Sequence, residues 1–271
     1  MNPIKHSLQH LSAALLLAGV LTACGNQDPQ ALVSAARDHL QKNDPAAAII
    51  ELKNALQEKP DFPEARLLLG KALLESGDVV GAEAELRKAR EVNYLPDEVS
   101  PLLAKAWLGQ GEARKVTEAF DQVRLESPQA QADLLTSLAI AWRAQGKAET
   151  FRQRLDAALE LQPEYAPALI ERARLKAADR DFKAAVAELD LLIAREPKNA
   201  EAIKLRGDVL LYGLGERDQA LAAYQSAVEA APKYLDGHSA LVRLLMAQSR
   251  HEEAAQALQK LSAVSASHPV T

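Results

Sequence analysis

Glu64-Ala-Arg-Leu-Leu-Leu-Gly-Lys-Ala-Leu-Leu-Glu-Ser-Gly-Asp-Val-Val-Gly-Ala-Glu-Ala-Glu-Leu-Arg-Lys-Ala89 reads as two helices joined by a tight turn. The first helix carries Leu69, Gly70 and Leu73 on one stripe. Gly77 suits the left-handed position that follows a helix C-terminus, and Asp78 can accept from the free N–H groups that open the next helix. The second helix places Ala82, Leu86 and Ala89 on one face, at spacings of four and three. Small residues at Gly70 and Ala82 let the two axes approach closely, and Leu69, Leu73 and Leu86 fill the space beside them.

The pattern recurs along the chain. The large residue of the second helix reads Leu52, Leu86, Phe120, Leu155, Leu189, Tyr224 and Leu258, with gaps of 34, 34, 35, 34, 35 and 34. Four residues earlier stand Ala48, Ala82, Val116, Phe151, Ala185, Ala220 and Ala254; three residues later stand Ala55, Ala89, Val123, Ala158, Leu192, Ala227 and Leu261. The close-packing site of the first helix reads Ala36, Gly70, Ala104, Ala139, Ala173, Gly207 and Val242. Pro60, Pro96, Pro128, Pro163, Pro197 and Pro232 follow the second helices and are expected to end them.

At these residues the chain resembles the tetratricopeptide repeat family, whose signature is a 34-residue helix–turn–helix in this small/large/small order. The resemblance runs from Pro29 to about Ser262 and implies an all-α, right-handed solenoid of about seven hairpins. Three departures stand out. Arg172 and Lys176 occupy sites that the family fills with apolar residues, so a poorly packed inner face is expected in repeat five. Repeat six carries one extra residue around Gly213-Leu-Gly215-Glu. Tyr94 stands where the proline of repeat two belongs, with Pro96 two residues late. Trp107 and Trp142 share one first-helix site in repeats three and four and read as core aromatics.

Composition agrees. The 271 residues are 48% hydrophobic and only 4% aromatic, with Ala and Leu dominant and no alternating β-branched run. Such an array grows one unit at a time and needs no domain boundary. The formal charge of −5 becomes −6 without residues 1–23, which hold Lys5 and no acid; this speaks against nucleic acid as a partner.

Residues 1–23 read as a secretory leader. Lys5 precedes an apolar run from Leu11 to Leu21, too short to span a bilayer. Its end, Leu21-Thr22-Ala23-Cys24-Gly25, resembles the bacterial lipobox, which implies lipidation of Cys24 and stable anchoring by several acyl chains. Cys24 is the single cysteine, so no intramolecular disulfide can form. Gly25 in place of Asp favours the periplasmic face of a Gram-negative outer membrane. Residues 24–29 are expected to be a lipidated tether, 30–262 the array, and 263–271 a frayed tail that leaves the last apolar face without the polar cap solenoids usually carry.

Little chemistry is encoded. His39, His238, His251 and His268 show no ligand spacing, and His251-Glu-Glu-Ala-Ala255 lacks the second His of a zinc-protease helix. Gly213-Leu-Gly215-Glu-Arg-Asp218 joins helices and lacks the third Gly of a nucleotide loop. No catalytic residue, metal or cofactor is expected, and the chain reads as a binding protein. One polar feature repeats. One residue past the small site the chain reads Arg37, Lys71, Lys105, Ile140, Arg174, Asp208 and Arg243, and in tetratricopeptide proteins this site faces the concave groove. Seven residues earlier stand Gln30, Glu64, Glu98, Asp133, Pro167, Glu201 and Asp236. Two readings stay open: the basic ladder of Arg37, Lys71, Lys105, Arg174 and Arg243 binds an anionic ligand, or these charges solvate an exposed face with the acids favourably placed at helix N-termini.

The lipobox and the segments Ala46–Pro60, Glu64–Gly70 and Gly77–Ala89 also resemble the start of the tetratricopeptide lipoproteins of the exosortase (PEP-CTERM) sorting system. That resemblance implies a non-enzymatic envelope scaffold in exopolysaccharide or biofilm-matrix export. Its partners would be proteins of the export machinery, anionic polysaccharide, and the membrane through the lipid. Two rivals share the features: a pilotin-like lipoprotein for secretin or type IV pilus assembly, and the recognition arm of a longer enzyme.

Overall fold

The computed structural model describes residues 28–266. Among the described residues the chain forms helices and no strand: α1 Pro29–Gln41, α2 Pro45–Glu58, α3 Pro63–Ser76, α4 Val79–Glu91, α5 Pro96–Gly109, α6 Ala113–Phe120, α7 Pro128–Ala144, α8 Ala148–Leu161, α9 Ala166–Ala178, α10 Phe182–Arg195, α11 Ala200–Asp208, α12 Arg217–Ala230, α13 Leu235–Ala247 and α14 His251–Ala266. They form seven antiparallel hairpins, the all-α solenoid that the repeat predicts. No helix among the described residues is long and apolar enough to cross a membrane.

Each hairpin turns on one left-handed residue. Asn43, Gly77, Gly111, Gly146, Arg180, Gly215 and Ser249 all have positive φ, between 55° and 88°. They recur in the same register as the large core residues. At Gly77 the backbone N–H groups of Gly77 and Asp78 return to the carbonyls of Leu74 and Leu73, at 3.1 and 2.9 Å. The Asp78 carboxylate then accepts from Gly81 N–H at 2.8 Å and opens α4. Asp44 and Asp181 do the same for α2 and α10, at 3.1 and 3.3 Å.

The small and large positions meet as expected. Leu52, Leu86, Phe120, Leu189, Tyr224 and Leu155 are at most 1% exposed. In the last hairpin Leu258 is 51% exposed, because no further hairpin among the described residues covers it. A Cβ on Gly70 would stand 2.5 Å from Leu86 Cγ, and one on Gly207 would stand 2.6 Å from Tyr224 Cε1. The second and sixth hairpins thus close through contacts that leave no room for a side chain at this first-helix site. Trp107 is buried with its ring 5.5 Å from that of Phe120. Trp142 is half-buried and donates its indole N–H to Asp121 at 3.1 Å.

Each second helix rests on the first helix of the next hairpin, and first helices also touch one another, α1 with α3, α3 with α5 and so on to α13. Second helices make no comparable row of contacts. The stack therefore bends around its first helices, whose outer faces line the concave side.

Four expectations need correction. Arg172 and Lys176 do not loosen repeat five: both reach the buried carboxylate of Glu188 on α10, Arg172 Nε to Oε1 at 2.6 Å and Lys176 Nζ to Oε2 at 2.6 Å. Val123 does not lie on a second helix, because α6 ends at Phe120. Asp121, the next residue, is held from the following repeat by Trp142 and by Arg154 at 2.7 Å, and the chain leaves the helix there. Pro96 and Pro128 do not end helices but begin α5 and α7, where a missing N–H costs nothing; Pro60, Pro163, Pro197 and Pro232 lie in the turns as expected. The array also reaches past 30–262 at both ends. Asp28 caps α1 by accepting from Gln30 N–H at 3.1 Å, and α14 runs on to Ala266.

The extra residue of repeat six is absorbed without a loop. Val209–Leu214 continues α11 as a π-helical turn, which closes on left-handed Gly215. A wider turn takes up one more residue per hydrogen bond than an α-turn, so the register of the hairpin beyond it is kept.

Candidate functional site

The concave face is built by the exposed stripe of each first helix, and the two charge ladders lie along it. Arg37 on α1 donates to Glu64 on α3 at 2.7 Å. Lys105 on α5 donates to Asp133 on α7 at 2.6 Å, and Arg174 on α9 to Glu201 on α11 at 2.8 Å. Each base therefore reaches the acid at the start of the next repeat's first helix. Lys71 and Arg243 are exposed and make no ion pair among the described residues. Ile140 is half-buried, and Asp208 breaks the basic row. Asp208 accepts from Lys204 at 2.7 Å and from the Tyr224 phenol at 2.8 Å. The acid thus gives the buried end of the core tyrosine a partner.

The centre of the groove is the most densely charged. Glu171, 6% exposed, pairs with Arg143 at 2.8 Å and with Arg174 at 3.4 Å. A chain of alternating charge, Arg143–Glu171–Arg174–Glu201, so crosses from repeat four to repeat six. Burial pushes the Glu171 carboxyl above its ordinary value, against the pull of Arg143 and Arg174. Burial also raises the Tyr234 phenol to about 12, helped by Glu201 and Asp236. On the other side of the wall, burial works to raise Glu83, but the Trp107 indole, the Gln110 amide at 2.9 Å and the Lys115 ammonium leave it below its ordinary value. Periodicity alone could not have found Glu171, which is charged where other repeats carry apolar or small residues, nor Glu188, whose position also holds the acids Glu51 and Glu85 in repeats one and two.

Cys24 and the leader lie outside the described residues. His238 is buried in α13, its Nε2 2.9 Å from the Pro232 carbonyl oxygen, and His251 opens α14 at the surface. Among the described residues no three His, Cys, Asp or Glu side chains gather as a metal site would require. A cavity of about 1180 Å³ opens between the π-helical turn, the start of α12 and α13.

A family model described as tetratricopeptide repeat matches residues 39–106 and 211–269. The intervening hairpins hold the short α6 and the Arg172–Glu188–Lys176 cluster, yet they stack in the same way. Among solved structures, a tetratricopeptide repeat protein from Parabacteroides merdae is 18% identical with a TM-score of 0.61, covering 87% of this chain and 93% of that one. The APC/C hetero-tetramer Cut9–Hcn1 is 13% identical with a TM-score of 0.62, covering 87% of this chain and 46% of that one. Pseudomonas aeruginosa pilF is 19% identical with a TM-score of 0.53, covering 78% of this chain and 95% of that one. At such identities the likeness is one of fold. Among curated proteins none matches the chain.

Proposed function

We propose that this stack of tetratricopeptide repeats is a non-enzymatic scaffold of a Gram-negative envelope, anchored to the periplasmic face of the outer membrane through lipid on Cys24. Its concave groove, with Arg37, Lys71, Lys105, Arg174 and Arg243 along it, holds protein partners of an export machine or an anionic polymer. Tetratricopeptide stacks serve in general as interaction scaffolds, which fits the groove better than catalysis. The finer reading, a role in exopolysaccharide export linked to PEP-CTERM sorting, is supported by the lipobox residues Leu21–Gly25 and by the sequence of the first two repeats.

One observation carries the reading: seven hairpins in a single phase give one continuous inner face, and charged side chains repeat along it. A binding surface of that kind suits an extended partner and not a small substrate. The pilotin-like alternative draws on size, because the match covers 95% of the pilF chain.

The test is photocrosslinking in intact cells from Lys71, Ile140 and Arg243 on the groove, against Ile50 and Leu191 on the outer helices. The proposal predicts envelope adducts from the groove positions, and retention in the membrane fraction that Cys24→Ala abolishes. Adducts from the outer positions alone, or membrane retention indifferent to Cys24, would overturn it.

A further inference from the structure

The sixth hairpin differs from the others at its turn. Val209–Leu214 is wound as a π-helix, a form that recurs at functional sites. Gly213 makes this turn feasible, because a side chain there would run into the Phe182 ring of the preceding hairpin. The wide turn leaves Tyr212 at the surface, 74% exposed, the most exposed of the large apolar side chains. Across the cavity of about 1180 Å³ from this turn stand Arg243 and Leu244 of α13 and Gln248 just past its end, and Asp218 and Gln219 of α12 also line it. Arg243 has no ion-pair partner among the described residues, whereas Arg37, Lys105 and Arg174 are all satisfied across repeats.

A guanidinium without an ion-pair partner, facing an exposed phenol ring across one cavity, suits a ligand with an anionic group next to a flat hydrocarbon face. Planar amide and carboxylate groups around them suit hydroxyls, which both donate and accept. We infer that this cavity binds a uronic-acid ring of an acidic polysaccharide. The C–H face of the pyranose lies on Tyr212, its carboxylate pairs with Arg243, and its hydroxyls meet Gln219, Gln248 and Asp218. An acidic peptide would satisfy Arg243 but would leave this ring of hydroxyl partners unused. The inference deepens the polymer-binding part of the proposed function and assigns it to one site, at the turn of the sixth hairpin.

The experiment titrates the full chain calorimetrically with tetragalacturonic acid, with maltotetraose and a tetraglutamate peptide as comparisons. Tyr212→Ala and Arg243→Gln change exposed side chains, and helical circular dichroism checks that both variants fold. Each should weaken tetragalacturonate by roughly tenfold or more, the size expected for one charge-assisted bond or one stacked ring. Maltotetraose should bind more weakly than the acid to the unaltered chain. No tetragalacturonate binding, or tighter capture of tetraglutamate, would overturn the ligand assignment. Affinity that survives both variants but falls on Lys71→Glu, Lys105→Glu and Arg174→Glu would overturn this site while leaving the groove reading standing.

Discussion

Gly207→Ala is the sharpest probe of how the hairpins close. The added Cβ would lie 2.6 Å from Tyr224 Cε1, 2.8 Å from Cδ1 and 3.3 Å from Ala223 Cβ. Ordinary carbon contacts sit at roughly 3.5–4.0 Å, so the ring must retreat by about an ångström. It has little room, being 1% exposed with its hydroxyl held on Asp208 at 2.8 Å. Overpacking of this kind costs about 1–3 kcal/mol, while Ala gains about 1 kcal/mol over Gly in helix propensity. A rigid, tethered ring puts the packing term near its upper end, so the net loss should be about 2 kcal/mol. Gly70→Ala meets the flexible Leu86 instead, at 2.5 Å from Cγ, and should lose about half as much. Urea unfolding followed by helical circular dichroism measures both. In a Tyr224→Leu background Gly207→Ala should cost less, since the two residues touch and their effects are not additive. An alanine at Gly207 that leaves the chain as stable as before, or more so, would refute the close approach.

Three further outcomes follow from particular contacts. Arg180 takes the left-handed turn position that glycine fills in four hairpins, so Arg180→Gly should stabilise by about 0.5–1 kcal/mol, net of the entropy glycine adds to the unfolded chain; a lower unfolding midpoint would contradict this. Glu188→Ala strands Arg172 and Lys176 and should cost about 2 kcal/mol, less than a fully buried pair because both partners are about a third exposed. Replacing all three residues by leucine should come within about 1 kcal/mol of the natural chain, and a triple variant as damaged as the single one would count against the cluster. Glu171 binds its proton more tightly in the folded chain than in the unfolded one, since burial raises it from 4.5. Its contribution to stability is therefore complete below that value and is lost as pH rises through the folded-state value. The natural chain should then lose stability relative to Glu171→Gln as pH rises above 4.5, and a flat or opposite trend in denaturation midpoints would contradict it.

The repeat was legible because its defining contact is local. Gly70 and Leu86 lie sixteen residues apart, and that pair recurs with one period, so spacing alone reveals the hairpin and its phase. The turn signal was legible at the glycines and at Asn43-Asp44-Pro45. Asn43, Arg180 and Ser249 adopt the same left-handed geometry, but Arg180 gives no hint of it, and only the register shows where it falls. Arg172 and Lys176 looked like defects because their partner Glu188 sits on the other helix, and an acid on a second helix is unremarkable by itself. Phe120 as the end of α6 was hidden for a similar reason. The residues that hold Asp121 there, Trp142 and Arg154, belong to the next repeat. The ladders were visible as a periodicity, but their pairing from one repeat to the next was not. Whether a charge row is solvated or bridged depends on the stacking of neighbouring hairpins, which periodicity does not encode.

The central claim is that the chain stacks hairpin on hairpin, with the first helices side by side along one inner face. Cysteine pairs in a Cys24→Ala background test it, joined by a linker only slightly longer than the ion pairs they replace. Lys105→Cys with Asp133→Cys, and Arg174→Cys with Glu201→Cys, should join in high yield, while Arg37→Cys with Asp133→Cys, three hairpins apart, should not. Efficient joining of the distant pair, or none of the adjacent pairs, would contradict the solenoid.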